Sequence, residues 1–114
     1  MSFDRGDVIL VNFSPVVGSE QGNIRPAIVV SDEIFQRLGL IIVVAITSRI
    51  IQSFGRVPLK PDSANGLDKA SDVLAYQVRT ISTDQKRIVK KLGRLSQRDL
   101  ARIDEALKIV LKLA

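Results

Sequence analysis

The chain has 114 residues, 46% of them hydrophobic and 25% charged, the balance of an ordinary packed core and not of a disordered or low-complexity polymer. That length points to one domain, and the longest unbroken apolar run, Leu40 to Ile46, is seven residues, well short of the ~20 needed to cross a bilayer. Charges at Asp4, Arg5 and Asp7 occupy the place of a signal peptide's apolar stretch, so the expected location is the cytoplasm, with no membrane contact. The absence of cysteine and histidine excludes disulfides, thiolate nucleophiles and the usual zinc ligand sets, and leaves no side chain whose ordinary pKa is near 7. No metal or other cofactor is expected. The net charge of +5 is uneven. Nine basic and three acidic residues from Lys86 to Ala114 give +6, while eight basic and nine acidic residues over 1–85 give −1. A basic C-terminal third suits a polyanionic partner, either nucleic acid or an acidic protein segment.

In chain order, Asp7 to Phe13 is β-branched and apolar and stops at Ser14-Pro15, where proline removes a ladder donor: strand one. Val16 to Asn23 is a polar loop containing Gly18 and Gly22. Ala27 to Val30 is a second, fully apolar strand. Ser31 is a candidate cap for one or two helical turns carrying Phe35 and Leu38 and ending at Gly39. Leu40 to Ile46 is the third strand, followed by polar Thr47-Ser48-Arg49. Arg56 to Leu59 reads as an edge strand, since proline is tolerated there, and Asp62 to Gly66 as a turn. Two more strands are expected at Ser71–Val78 and Arg87–Leu92. From Ser96, an N-cap with Asp99 three residues on, Leu100, Ile103, Leu107, Val110 and Leu111 repeat with helical spacing. Arg98, Arg102, Glu105, Lys108 and Lys112 form the opposite, solvated face. The sum is an α+β domain over residues 1–114, a small, strongly curved β-barrel with a C-terminal amphipathic helix.

Five segments, in order and spacing, carry a resemblance to a known family. They are Gly6-Asp7-Val8, Pro15 to Gly22, Arg25-Pro26-Ala27-Ile28-Val29-Val30-Ser31, Ile46-Thr47-Ser48 and Gln77-Val78-Arg79-Thr80-Ile81. Together they resemble the MazF/PemK/Kid toxins, and the resemblance runs from Gly6 to Leu113. It implies an SH3-like barrel and a ribosome-independent, sequence-specific endoribonuclease that cuts single-stranded mRNA. It further implies a homodimer and a co-expressed acidic antitoxin.

Metal-free cleavage requires the 2′-hydroxyl to lose a proton and attack phosphorus, while negative charge builds on the phosphoryl oxygens. The resemblance assigns the catalytic roles to Arg25 and Thr47. Arg25 offers five guanidinium donors suited to transition-state charge, and because an arginine side chain in a protein keeps its proton, electrostatics is a better role than proton transfer. Thr47, at the end of the longest apolar strand, is expected to emerge at a rim, with Ser48 beside it. Ser19, Glu20 and Gln21 in the long loop, and Gln77 and Arg79 on one strand face, are expected to contact RNA. The family usually carries an acidic residue before that glutamine, and this chain has Tyr76, which could stack on an unpaired base. Two other functions compete. A gyrase poison similar in fold, of the CcdB type, would depend on aromatic and acidic residues at the helix end, where this chain has Leu111-Lys112-Leu113-Ala114. A basic RNA-binding barrel without chemistry is the other.

Overall fold

Strands apolar on both faces, such as the first three, need cover on both, and the computed structural model, which describes residues 2–13 and 24–113, shows how they obtain it. Strands β1 (Asp7–Asn12), β2 (Ile24–Val29), β3 (Leu40–Thr47), β4 (Arg56–Leu59), β5 (Ser71–Ser82) and β6 (Ile88–Arg94) form one sheet in the order β4-β5-β3-β2-β1-β6. Every neighbouring pair is antiparallel. Helix α1 (Gln97–Leu111) follows. β4 matches its expected span and its expected edge position, whereas β5 runs on to Ser82 and β2 starts at Ile24.

Alternate residues serve two cores. Val8, Ile28, Val44, Ile46 and Val73 meet Ile103 and Leu107 of α1. Ile9, Val11, Ala27, Val29, Ile41, Val43 and Ile81 turn the other way, onto Phe3 and Ile88. Burial on both faces is why β1 to β3 read as continuous apolar runs and not as an alternation.

The sheet is strongly curved but does not close, because β4 and β6 remain its two edges. The turn after β4 bridges them: Arg94 N donates to Ala64 O at 2.9 Å. Approach is so close that a Cβ on Gly66 would lie 2.2 Å from Leu92 O, and one on Gly93 2.2 Å from Ala64 O. Buried Asn65 holds the turn together, donating to Lys60 O at 2.9 Å and accepting from Leu67 N at 3.0 Å.

Between β2 and β3 the expected helical turns form as a 3₁₀ helix, Glu33–Leu38, ending at Gly39. The cap is Asp32, which accepts from Ile34 N at 2.9 Å, and not Ser31. Ser31 is buried, and its hydroxyl accepts from Ile42 N at 3.0 Å. α1 begins as expected, with Ser96 Oγ accepting from Asp99 N at 3.1 Å. Arg5 clamps it to the sheet by pairing with Asp104 and donating from Nε to Val30 O at 2.8 Å. Val110 and Leu111, expected on the core face, are exposed. Among the described residues, no helix is long and apolar enough to cross a membrane.

Candidate functional site

The ladder between β2 and β3 covers only Ala27–Val29 against Val43–Ala45. Pro26, which has no N–H to donate, stands just past its end. Extending the register Ala27↔Ala45 by two residues sets Arg25 opposite Thr47. In an antiparallel pair, facing residues share a sheet face, so Arg25, Ala45 and Thr47 continue the face of Ala27, Val29 and Val43 beyond the apolar core. At this end the face turns polar.

Two clefts open there and share Arg25. The first, ≈ 470 Å³, is lined by Phe13, Arg25, Ala45, Gln77, Val78 and Arg79. The small Ala45 leaves room on its floor. β5 reaches this cleft through a wide bulge, because the register with β3 jumps from Val44↔Val78 to Ala45↔Leu74, leaving Ala75, Tyr76 and Gln77 without partners on β3. Beyond the bulge Arg79 faces Val43, donates to Phe13 O at 3.3 Å and stacks its guanidinium 5.3 Å from the Phe13 ring centre. The second cleft, ≈ 600 Å³, brings Arg25 together with Thr47, Ser48, Arg49, Asp68 and Lys69. Thr47 Oγ1 accepts from Arg49 N at 3.2 Å, so the turn closes on the hydroxyl oxygen and leaves its proton to be donated. Below this turn, Asp72 pairs with Arg56 at 3.1 Å, and its carboxylate raises the Arg56 pKa above the ordinary arginine value.

The structure therefore brings Arg25, Thr47, Ser48, Gln77 and Arg79 together around one end of the sheet. Tyr76 is elsewhere. It projects toward Gly55, where an added Cβ would lie 2.7 Å from its ring, and lines neither cleft. Ser19, Glu20 and Gln21 lie outside the described residues. Phe13, Arg49, Asp68 and Lys69 were missed. Phe13 carried a usable signal, an aromatic closing strand one directly before the glycine-bearing loop, and Arg49 directly follows Thr47-Ser48 in the chain, while Asp68 and Lys69 become neighbours only through the β4–β5 connection. The charges also fall differently from the linear pattern. Lys91, Arg94, Arg102 and Lys108 of the basic C-terminal third are engaged by Asp7, Asp4, Asp99 and Glu105. The cations at the clefts are Arg25, Arg49, Lys69 and Arg79, all from the part of the chain whose net charge is −1.

Residues 4–111 match the family of PemK-like, MazF-like toxins of type II toxin–antitoxin systems. The chain belongs to this family. It is 38% identical over 115 residues to Endoribonuclease EndoA of Bacillus subtilis (strain 168), covering 99% of this chain and 97% of EndoA. The crystal structure of MazF (Form-I) from Deinococcus radiodurans superposes with a TM-score of 0.79 at 29% identity, with 98% of each chain covered. A MazE–MazF structure (Form-II) from the same organism gives 0.78 at 25% identity, covering 100% of this chain and 99% of that one. The six-stranded sheet with its C-terminal helix is thus the fold of the MazF toxins, with the curvature of a small barrel whose edge strands β4 and β6 do not pair with each other.

Proposed function

We propose that this toxin is a sequence-specific, ribosome-independent endoribonuclease that cleaves single-stranded RNA by 2′-hydroxyl attack on the adjacent phosphate. The observation that carries the reading is the position of Arg25, shared by a cleft holding the Thr47 hydroxyl and a cleft holding Gln77 and Arg79. A phosphate beside Arg25 would have a neighbouring nucleotide in each.

As the 2′-hydroxyl gives its proton to water and its oxygen bonds to phosphorus, the bond to the 5′-oxygen breaks and that oxygen takes a proton from water, while charge gathers on the phosphoryl oxygens. Arg25 meets that charge with a planar, permanently protonated guanidinium. Thr47 donates its hydroxyl proton to a phosphoryl oxygen, because its own oxygen is already occupied by Arg49 N. Gln77 offers an amide to a base edge, and Phe13 with the Arg79 plane offers a stacking surface. Arg49 and Lys69 draw the flanking phosphates, and Ser48 adds a hydroxyl donor. Ser19, Glu20 and Gln21 contact RNA in the same reading. No metal or cofactor takes part.

The active form is a homodimer in the cytoplasm, where its substrate is. Supporting the dimer, Ile109 and Leu111 at the end of α1 and Leu113 just beyond it are all at least half exposed, and Phe54 is 95% exposed, an apolar surface unusual for a monomer. The partner restraining the toxin is an acidic antitoxin segment that competes with RNA for Arg25, Arg49, Lys69 and Arg79. The experiment is digestion of a long RNA in excess EDTA, with 5′ ends mapped by primer extension. Discrete cuts should appear, leaving 5′-hydroxyl and 2′,3′-cyclic or 3′-phosphate ends. Activity that disappears with chelator and returns with Mg²⁺ refutes the mechanism.

A further inference from the structure

The Arg56–Asp72 ion pair lines neither cleft, and the chemistry above does not use it. We propose that Arg56 and Asp72 are positioning residues that set the orientation of the Thr47 hydroxyl, an inference that rests on the catalytic role given to Thr47. Asp72 faces Thr47 directly across the β3–β5 ladder. Its side chain is 2% exposed, and Oδ2 accepts from Ile51 N and from Arg56 Nη1, each at 3.1 Å. The same Nη1 donates to Arg49 O at 2.9 Å. Arg49 N is the donor that occupies Thr47 Oγ1. One carboxylate and one guanidinium thus hold the carbonyl of Arg49 and the amide of Ile51, on either side of Ile50. The residue whose amide orients the catalytic hydroxyl is fixed at its other end.

A pair kept only for stability would be an odd choice at this place. Arg56 Nε is buried and makes no hydrogen bond, so the guanidinium is incompletely satisfied. The attraction within a buried pair barely repays the desolvation of its two charges, and apolar side chains of similar volume usually serve stability as well. They would not bind a carbonyl and an amide of the neighbouring loop. Without this anchor the Thr47–Ile51 segment keeps its length but loses two of the bonds that define its path. The Thr47 hydroxyl then samples rotamers in which its proton no longer points to the phosphate.

The test is steady-state cleavage of a single-stranded RNA oligonucleotide carrying the mapped cleavage sequence, using Arg56→Met, Thr47→Ala and the double variant. Arg56→Met should lower kcat on the order of 10-fold and leave KM within about 2-fold, since an interaction made in the transition state is lost and ground-state binding is not. In the Thr47→Ala background the same change should cost less than about 2-fold, because the group it positions is gone. If Arg56→Met does not keep the parental circular dichroism, Asp72→Asn takes its place in the same cycle: it keeps an oxygen for Ile51 N and removes the charge that holds Arg56. Equal fold losses with and without Thr47, or a loss confined to KM, overturn the inference. A Thr47→Ala enzyme that cleaves at the parental rate overturns the role of Thr47 as well, while Arg25→Ala still reports separately on the nuclease reading.

Discussion

Replacing Ile103 by alanine removes a side chain with no exposed surface from the core that joins α1 to the sheet. Three carbons lost at ~0.8 kcal/mol each give about 2.4 kcal/mol of transfer free energy. Val8 and Ile28 around it belong to strands, Leu107 to the clamped helix and Leu95 to the short link between β6 and α1, and these relax only in part, so a cavity term is added. The total should be about 3.5 kcal/mol, inside the usual range for Ile→Ala. With an unfolding entropy of ~2.1 cal/mol/K per residue over 114 residues, or about 0.24 kcal/mol/K, the melting temperature should fall by about 15 °C. Arg102→Ala on the same helix is the control: its i,i+3 pair with Asp99 is partly exposed and should be worth under ~0.5 kcal/mol, about 2 °C. The assay is thermal denaturation followed by far-UV circular dichroism at one fixed protein concentration, because oligomerisation makes the midpoint concentration-dependent. An Ile103→Ala protein melting within about 4 °C of the parent would refute the two-core account of the fold.

Arg25→Ala should lower the single-turnover cleavage rate by on the order of 10² or more, the scale for losing a preorganised donor. Its melting temperature should stay within about 2 °C of the parent, because the residue is exposed; a rate within about 3-fold removes Arg25 from catalysis. Gly66→Ala must accommodate a Cβ 2.2 Å from Leu92 O at φ +71, whereas Gly39→Ala has φ +72 with nothing within 4 Å. Denaturant titration should show about 1 kcal/mol lost at Gly39 and at least twice that at Gly66; equal losses would mean that the β4–β6 bridge does not constrain the turn. Finally, Ile109→Asp combined with Leu113→Asp should shift the mass measured by light scattering from about twice 12.5 kDa to about 12.5 kDa. An unchanged dimer would place the interface elsewhere.

Much of the fold is local and was legible in the chain alone. β1 to β3 announce themselves because both faces are buried, which leaves unbroken apolar runs, and α1 does so because Ser96 and the spacing of Ile103 and Leu107 need only the helix itself. Arg25-Pro26 and Ile46-Thr47-Ser48 lie at one and the same end of the sheet. What the linear order could not contain is everything made by bringing distant segments together. Alternation along β5 already separates Tyr76 from Gln77, but it does not encode the bulge at the cleft that leaves Ala75, Tyr76 and Gln77 without partners on β3, because bulges obey tertiary register more than local preference. The basic C-terminal third gives four cations to ion pairs, while the clefts gather theirs from segments with no basic excess, because charge density depends on which strands meet and not on position along the chain. Asp72 became the neighbour of Thr47 only when β5 paired with β3, a contact across 25 residues that no periodicity encodes.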